Sequence, residues 1–451
     1  MEIKKGGLVS KLLADVHIPR MFKVKQILSG ERIATEKIPA QILSLLNEER
    51  FVGKIKPEDI PNVIRRELSQ GKFSRKIKPG MNIAVTAGSR GIANVAIITK
   101  AIVDFVSSRG AHPFVVPAMG SHGGATAEGQ LELLESYGIT ENFLKCPIKS
   151  SMEVSVIGTL KDGRKVVIDK NAAQSDGIII SCRIKPHNAF RGKYESGIMK
   201  MMAVGLGKQV GAECVHSQGM GKIDNNIELI GKTVLKNAPI LFAIPCIENS
   251  FDETCKIVGV DSSEIPDREP ELLKEAFSNM PRIIVGKCDV LVVDEIGKNY
   301  SGTGVDPNIT GTFSTKYVSG GIEVQRTAML DLSKESHGNG LGVGLSSVIT
   351  KRLFDKLDVE KMYPNCITST VLESARIPCV VADDKEAVQF CIRTCVNIDK
   401  ENVRIVRIPN SLHIEHIMLS EVYYDEIKNY PDLEIESKPE YMKFNEYSNL
   451  I

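Results

Sequence analysis

The chain has 451 residues, 42% of them hydrophobic, which suits two α/β domains better than one. Lys and Arg number 57 against 56 Asp and Glu, a net charge of +1, so no global field draws the chain to nucleic acid or to an anionic membrane. The opening MEIKKGGLVSKLL is too weakly apolar for a secretory signal, and no uninterrupted run of about 18 apolar residues reads as a membrane span.

The ten cysteines are scattered and form no CxxC pair. That argues against structural zinc, an iron–sulfur cluster and a disulfide scaffold, and makes a reducing cytoplasm the expected compartment.

Along the chain, Pro57 to Ser69 reads as a helix, and strands and helices then alternate. Met81 to Thr86 is a β-prone run that ends in a glycine-containing loop. Val95 to Ser108 has apolar residues at Ile98, Ala101, Ile102 and Phe105, the spacing of an amphipathic helix. Phe114 to Pro117 is a second strand, followed by the loop MGSHGGAT, and Glu128 to Tyr137 is a second helix. Gly177 to Cys182 is apolar throughout, as a strand buried on both faces would be. Repeated strand–loop–helix units predict mostly parallel sheets covered by helices.

Ser262 to Met280 is charged and helical. The strand Val290 to Val293 then opens a second α/β unit, which continues through Leu345 to Leu357 and the strand Pro378 to Ala382. The boundary falls near 270 to 285. The expected organisation is an N-terminal α/β domain over 1–275, a C-terminal α/β domain over 276–420, an active-site cleft between them, and an acidic tail over 421–451 that is partly ordered or braces the first domain.

In α/β sheets, ligands bind where loops leave the carboxyl ends of strands. Three loops of the first half qualify: TAGSRG with Arg90, MGSHGG with His122, and the long loop after GIIISC, which carries His187, Lys200 and His216. Taken singly, each has a blander reading. A histidine in a glycine-rich loop is commonly a hydrogen-bonding turn residue, a lysine at a helix start is commonly solvated, and an arginine in a turn commonly caps carbonyls. The functional reading rests on their arriving together, in order, at strand ends.

Their chemistry is suited to one task. Arg90 offers a planar fork for a carboxylate. His122 and His187 titrate near neutrality and could take and return a hydroxyl proton, one on each face of a stereocentre. His216 could ligate a transition metal, and Lys200 could be a nucleophile or a covalent tether.

The run PH, an apolar-aromatic segment, SGxxK, a glycine-rich turn and a later histidine resembles the signature of lactate racemase and its relatives. The resemblance covers residues 80 to 220 well and the second half loosely. It implies a nickel-pincer nucleotide, a pyridinium mononucleotide joined to lysine through a thioamide, with a histidine completing the nickel coordination. By resemblance Lys200 in SGIMK is the tether and His216 the nickel ligand. His187 in KPH and His122 in GSHGG are the acid–base pair, and Arg90 binds the substrate carboxylate. The implied activity is racemisation or epimerisation of a 2-hydroxy acid by reversible hydride transfer, with other proteins making the cofactor.

The sequence also departs from the family pattern. Where the family loop often reads Asp-x-x-Arg, Ala87 stands three before Arg90, and where it often reads His-Arg, Gly123 follows His122. The stretch from His187 to Lys200 is a few residues longer than in the family. The substrate is therefore expected to differ from lactate and to be larger or polyhydroxylated. A substrate-binding lysine from the second domain has no motif here; Lys298 in DEIGKNYSGTGVDPN is the candidate, against a plain turn network built on Asp294 and Asp306. Two other classes stay open: a zinc hydrolase or lyase using His122, His187 and His216, and a non-catalytic small-ligand-binding protein.

Overall fold

A computed structural model describes residues 5–28, 53–89 and 91–451. They divide into two compact units, one over 53–280 and one that joins 5–28 to 281–451. Strand β1 (Met21–Gln26) is the first strand of the described residues, but its partners lie some four hundred residues further along the chain.

In the unit over 53–280, the strands β2 (Asn82–Ala87), β3 (His112–Pro117), β6 (Gly177–Arg183) and β7 (Ile240–Glu248) lie side by side and parallel, in the order β3-β2-β6-β7. Two short antiparallel strands, β8 (Thr254–Ile257) and β9 (Val260–Asp261), pair with β7. A separate hairpin joins β4 (Val154–Thr159) to β5 (Lys165–Asp169). The helix Val95–Ser108 spans the expected residues and buries Ile98, Ala101, Ile102 and Phe105, the face set by its 3.6-residue period. These side chains meet Ile83, Val85 and Val115 of the sheet and Ile64 of the helix Ile60–Ser69 in one apolar core. Each large side chain so buried contributes roughly 1.5–3 kcal/mol.

The other unit holds an eight-stranded sheet. Five strands are parallel: β10 (Lys287–Ile296), β11 (Glu323–Leu332), β12 (Val348–Thr350), β13 (Cys379–Val381) and β14 (Ile405–Ile408). β15 (His416–Ser420), β1 and β16 (Leu433–Ile435) continue it antiparallel, in the full order β13-β12-β11-β10-β14-β15-β1-β16. The α/β class with mostly parallel sheets is therefore as the sequence predicts. Among the described residues, no helix is long and apolar enough to cross a membrane.

The structure differs from the expected organisation at both ends. Residues 21–26 do not belong with the N-terminal half. The run MFKVKQ buries Met21, Phe22, Val24 and Gln26, and it does so between β15 and β16. The acidic tail belongs with the eight-stranded sheet of its own unit. It supplies β16, and Glu440 exchanges both backbone hydrogen bonds with Met21, at 2.7 and 2.9 Å. A six-residue strand with charges on one face carries too little periodicity to announce so distant a partner.

Candidate active site

Because β3, β2, β6 and β7 are parallel, the segments that follow β2, β3 and β6 all leave the same carboxyl edge of the sheet. The three loops singled out from the sequence are therefore neighbours. Arg90, in the first of them, lies outside the described residues. The rest of that loop is tied down on several sides. Tyr137 Oη donates to Ser89 O at 2.7 Å, Ala93 N–H donates to Glu248 at 2.8 Å, and Ser89 Oγ is hydrogen-bonded to His122 Nδ1.

His122 is exposed at the head of the second loop. The glycines around it answer a packing demand. Gly123 has φ +66°, and a Cβ on it would stand 2.6 Å from the backbone nitrogen of Gln130. A Cβ on Gly129 would stand 2.1 Å from Gly123 O. The loop thus presses directly on the first turn of the helix Ala127–Ser136, which Thr126 caps by accepting from Gly129 N–H at 3.0 Å.

The third loop is closed at its base by Lys185 N–H donating to Ser196 O at 2.9 Å, so His187 sits inside a loop whose exit is the SGIMK run. Glu195, 2% exposed, organises the interior: it accepts from His187 N–H at 2.7 Å, Gly192 N–H at 3.3 Å and Arg191 Nη1 at 3.3 Å. Burial lifts its carboxyl above the usual carboxylate range, while those donors oppose the lift. The His187 ring lies against Phe190, centroids 4.4 Å apart, and its Nδ1 accepts from Ala189 N–H at 3.1 Å. That leaves Nε2 as the nitrogen turned away from the local backbone bond.

Lys200 ends the helical turn Ile198–Lys200 and is half-buried. Glu269, 1% exposed on the helix Ile265–Asn279, holds the start of that turn by accepting from Met199 N–H at 2.9 Å. A Cβ on Gly197 would lie 2.3 Å from a Glu269 oxygen, so any larger residue at this position of SGIMK would have to displace the Glu269 carboxyl. Burial raises the Glu269 carboxyl to about 8, which keeps it largely protonated at neutral pH.

After Lys200 the backbone widens into a π turn, Met201–Gly205. Gly205 O accepts from Gly120 N–H at 3.3 Å, which rests the His122 loop on the segment that follows Lys200. The helix Lys208–His216 then brings His216 back toward Lys200. Burial, and secondarily the charge of Lys200, push the His216 imidazole down to about 4, so it is neutral at physiological pH. Its Nδ1 is buried and has no hydrogen-bond partner. An orphaned buried nitrogen on a neutral imidazole, beside a half-buried lysine, fits the donor a nickel-pincer group requires.

Lys298 belongs to the other unit. It lies in the loop after β10, at the point where the strand order reverses between β11 and β14, the usual ligand crevice of such sheets. Its backbone N–H donates to Ser336 Oγ at 2.8 Å and its Nζ to Gly302 O at 2.6 Å. Asp306 does cap its own turn, accepting from Asn308 N–H at 3.0 Å, whereas Asp294 pairs with Arg407 at 2.8 Å. Among the described residues no group of three or more His, Cys, Asp or Glu is arranged to hold a metal ion, so His122, His187 and His216 do not form the zinc site considered above.

Sequence reasoning missed Glu195, Glu269 and the buried Lys208. The two glutamates stand in charged runs that read as solvated, and only the tertiary fold desolvates them.

Fold and site together define an α/β protein that carries His122, His187 and Lys200 in segments following the parallel strands of one sheet. Residues 30–226 match the lactate racemase N-terminal domain. No match was found among curated proteins. Several solved structures are similar, two of them as follows. One is the lactate racemase apoprotein from Thermoanaerobacterium thermosaccharolyticum, 14% identical, TM-score 0.49, covering 86% of this chain and 98% of that one. The other is a structural-genomics protein from Thermotoga maritima, 13% identical, TM-score 0.43, covering 61% and 71%.

Proposed function

We propose that this chain is a racemase or epimerase of a 2-hydroxy acid that works with a nickel-pincer nucleotide attached to Lys200. The observation that carries this reading is the placement of Lys200 beside a neutral His216 with an unpartnered Nδ1, within a lactate racemase N-terminal domain.

Lys200 would hold the nucleotide through its amine, and His216 would supply one nickel ligand. When bound, the group supplies a hydride acceptor for the carbon-bound hydrogen of the substrate. The chain's own residues do the rest. His187, its loop fixed by Glu195, and His122, its ring steadied by Ser89, take the hydroxyl proton on one face and return it on the other. Arg90 and Lys298 are the proposed carboxylate partners. Close packing at Gly120 and Gly205 seats the His122 loop on the segment that follows Lys200. The working protein depends on partners that build the cofactor. A reducing cytoplasm suits its free cysteines.

The test is expression with cofactor-making proteins and nickel, followed by intact-protein mass spectrometry and chiral analysis of a panel of 2-hydroxy acids from lactate to aldonates. The expected result is an adduct mapped to Lys200 and loss of stereochemistry in at least one substrate. Lys200→Ala should lose both adduct and turnover, and His187→Ala only turnover. Racemisation by Lys200→Ala would overturn the assignment. Stoichiometric zinc without an adduct would point to a hydrolase or lyase, and ligand binding without stereochemical loss to a binding protein.

A further inference from the structure

One buried cation near the site is not used by the reaction above. Lys208 is 0% exposed and sits at φ +56°, a left-handed conformation that a lysine adopts only when its surroundings hold it there. Its ammonium meets Pro117 O at 2.5 Å and Gln130 Oε1 at 3.3 Å, and pairs with the Asp169 carboxylate, Oδ2 at 3.1 Å. Asp169 is itself fixed: its backbone N–H donates to Leu206 O at 2.7 Å, and its Oδ1 accepts from Ala172 N–H at 2.9 Å.

Gln130 is equally buried, and its Nε2 donates to Gly120 O at 3.0 Å and His122 O at 3.2 Å. An ammonium is a donor only, so Gln130 must turn its carbonyl oxygen toward Lys208. Its two N–H groups then necessarily point at the turn that carries His122. Lys208 is also the first residue of the helix whose last residue is His216.

We infer that Lys208 is a positioning residue which, by setting the sense of the Gln130 amide, registers the His122 turn against the helix that bears His216. The inference rests on the roles proposed for His122 and His216 above. It adds a built link between the proton-transfer loop and the ligand helix, running Asp169–Lys208–Gln130–His122 through the interior of the unit.

The test uses the full chain without cofactor, labelled for ring signals of histidine, with the His122 resonance assigned by His122→Gln. Gln130→Leu removes both donations while leaving the Lys208–Asp169 pair in place, and Gln130→Glu keeps an acceptor for Lys208 but loses the same two donations. Both should move the His122 ring signal toward the position it takes in Ser89→Ala, where the ring's own partner is removed. The His216 signal should stay in place. A His122 signal unchanged in both variants overturns the proposal. In enzyme loaded with the nucleotide, Gln130→Leu should lower kcat by about tenfold to a hundredfold with KM within about twofold, the mark of a displaced group rather than weakened binding. An unchanged kcat also overturns it. A wild-type protein with no adduct at Lys200 would sink the functional reading alone, because the ring signals are read without cofactor.

Discussion

Glu269→Gln is the most informative single substitution for the architecture beneath Lys200. In the folded chain burial holds this carboxyl near 8 instead of 4.5, so the native state keeps a proton that the unfolded chain releases. Stability therefore falls as pH rises from 4.5 towards 8. At about 1.4 kcal/mol per pH unit the ceiling is about 5 kcal/mol, and about 3 kcal/mol of it develops between about pH 5 and about pH 7.5. Glutamine cannot ionise. It keeps an acceptor for Met199 N–H but presents an amide nitrogen in place of the second oxygen, a pH-independent cost of about 1 kcal/mol. Wild type and variant should then be nearly equal at about pH 5, with the variant about 3 kcal/mol more stable at about pH 7.5. The chain has no tryptophan, so urea unfolding is best followed by circular dichroism at both pH values. A stability gap that is the same at both would refute the claim that a buried, protonated carboxyl holds this turn.

Three further predictions are narrower. Lys208→Met leaves Asp169 buried without its counter-charge and should cost about 3–5 kcal/mol in thermal or urea unfolding, whereas pairing it with Asp169→Leu should recover much of that loss, less the helix cap Asp169 provides. His216→Leu removes a nitrogen with no hydrogen-bond partner, so stability without cofactor should hold or rise near pH 7 while nickel content of the loaded protein, read by elemental analysis, drops to background. Gly123→Ala forces a side chain into a left-handed turn against the backbone of Gln130 and should lower stability by at least about 1 kcal/mol, with a displaced His122 ring signal.

The regular elements around the site were legible because their signals are local. The helix Val95–Ser108 and the strand GIIISC carry periodicity and apolar runs that need no tertiary partner to be read. Lys200, His216, His187 and His122 stand out in the sequence through glycine spacing and their order along the chain, and the structure places their segments after strands of one parallel sheet. The supporting carboxylates were not. Glu195 and Glu269 have the same sequence surroundings as solvated glutamates, and their burial is decided by loops and a helix folding over them. Gln130 gives no signal at all, since its role comes from facing a lysine 78 residues away. The ends of the chain were misjudged for a related reason: the partner of β1 is chosen by an open sheet edge some four hundred residues distant, which no window of sequence contains.

That last pairing carries a consequence for how the molecule is made. β1 leaves the ribosome some four hundred residues ahead of both its neighbours, β15 and β16. Residues 53–280 can complete their own sheet during synthesis, while the apolar side of MFKVKQ waits for β15 and β16 to be translated. A chain stopped short of residue 416 would carry a strand with no neighbours, an invitation to pairing with other nascent chains.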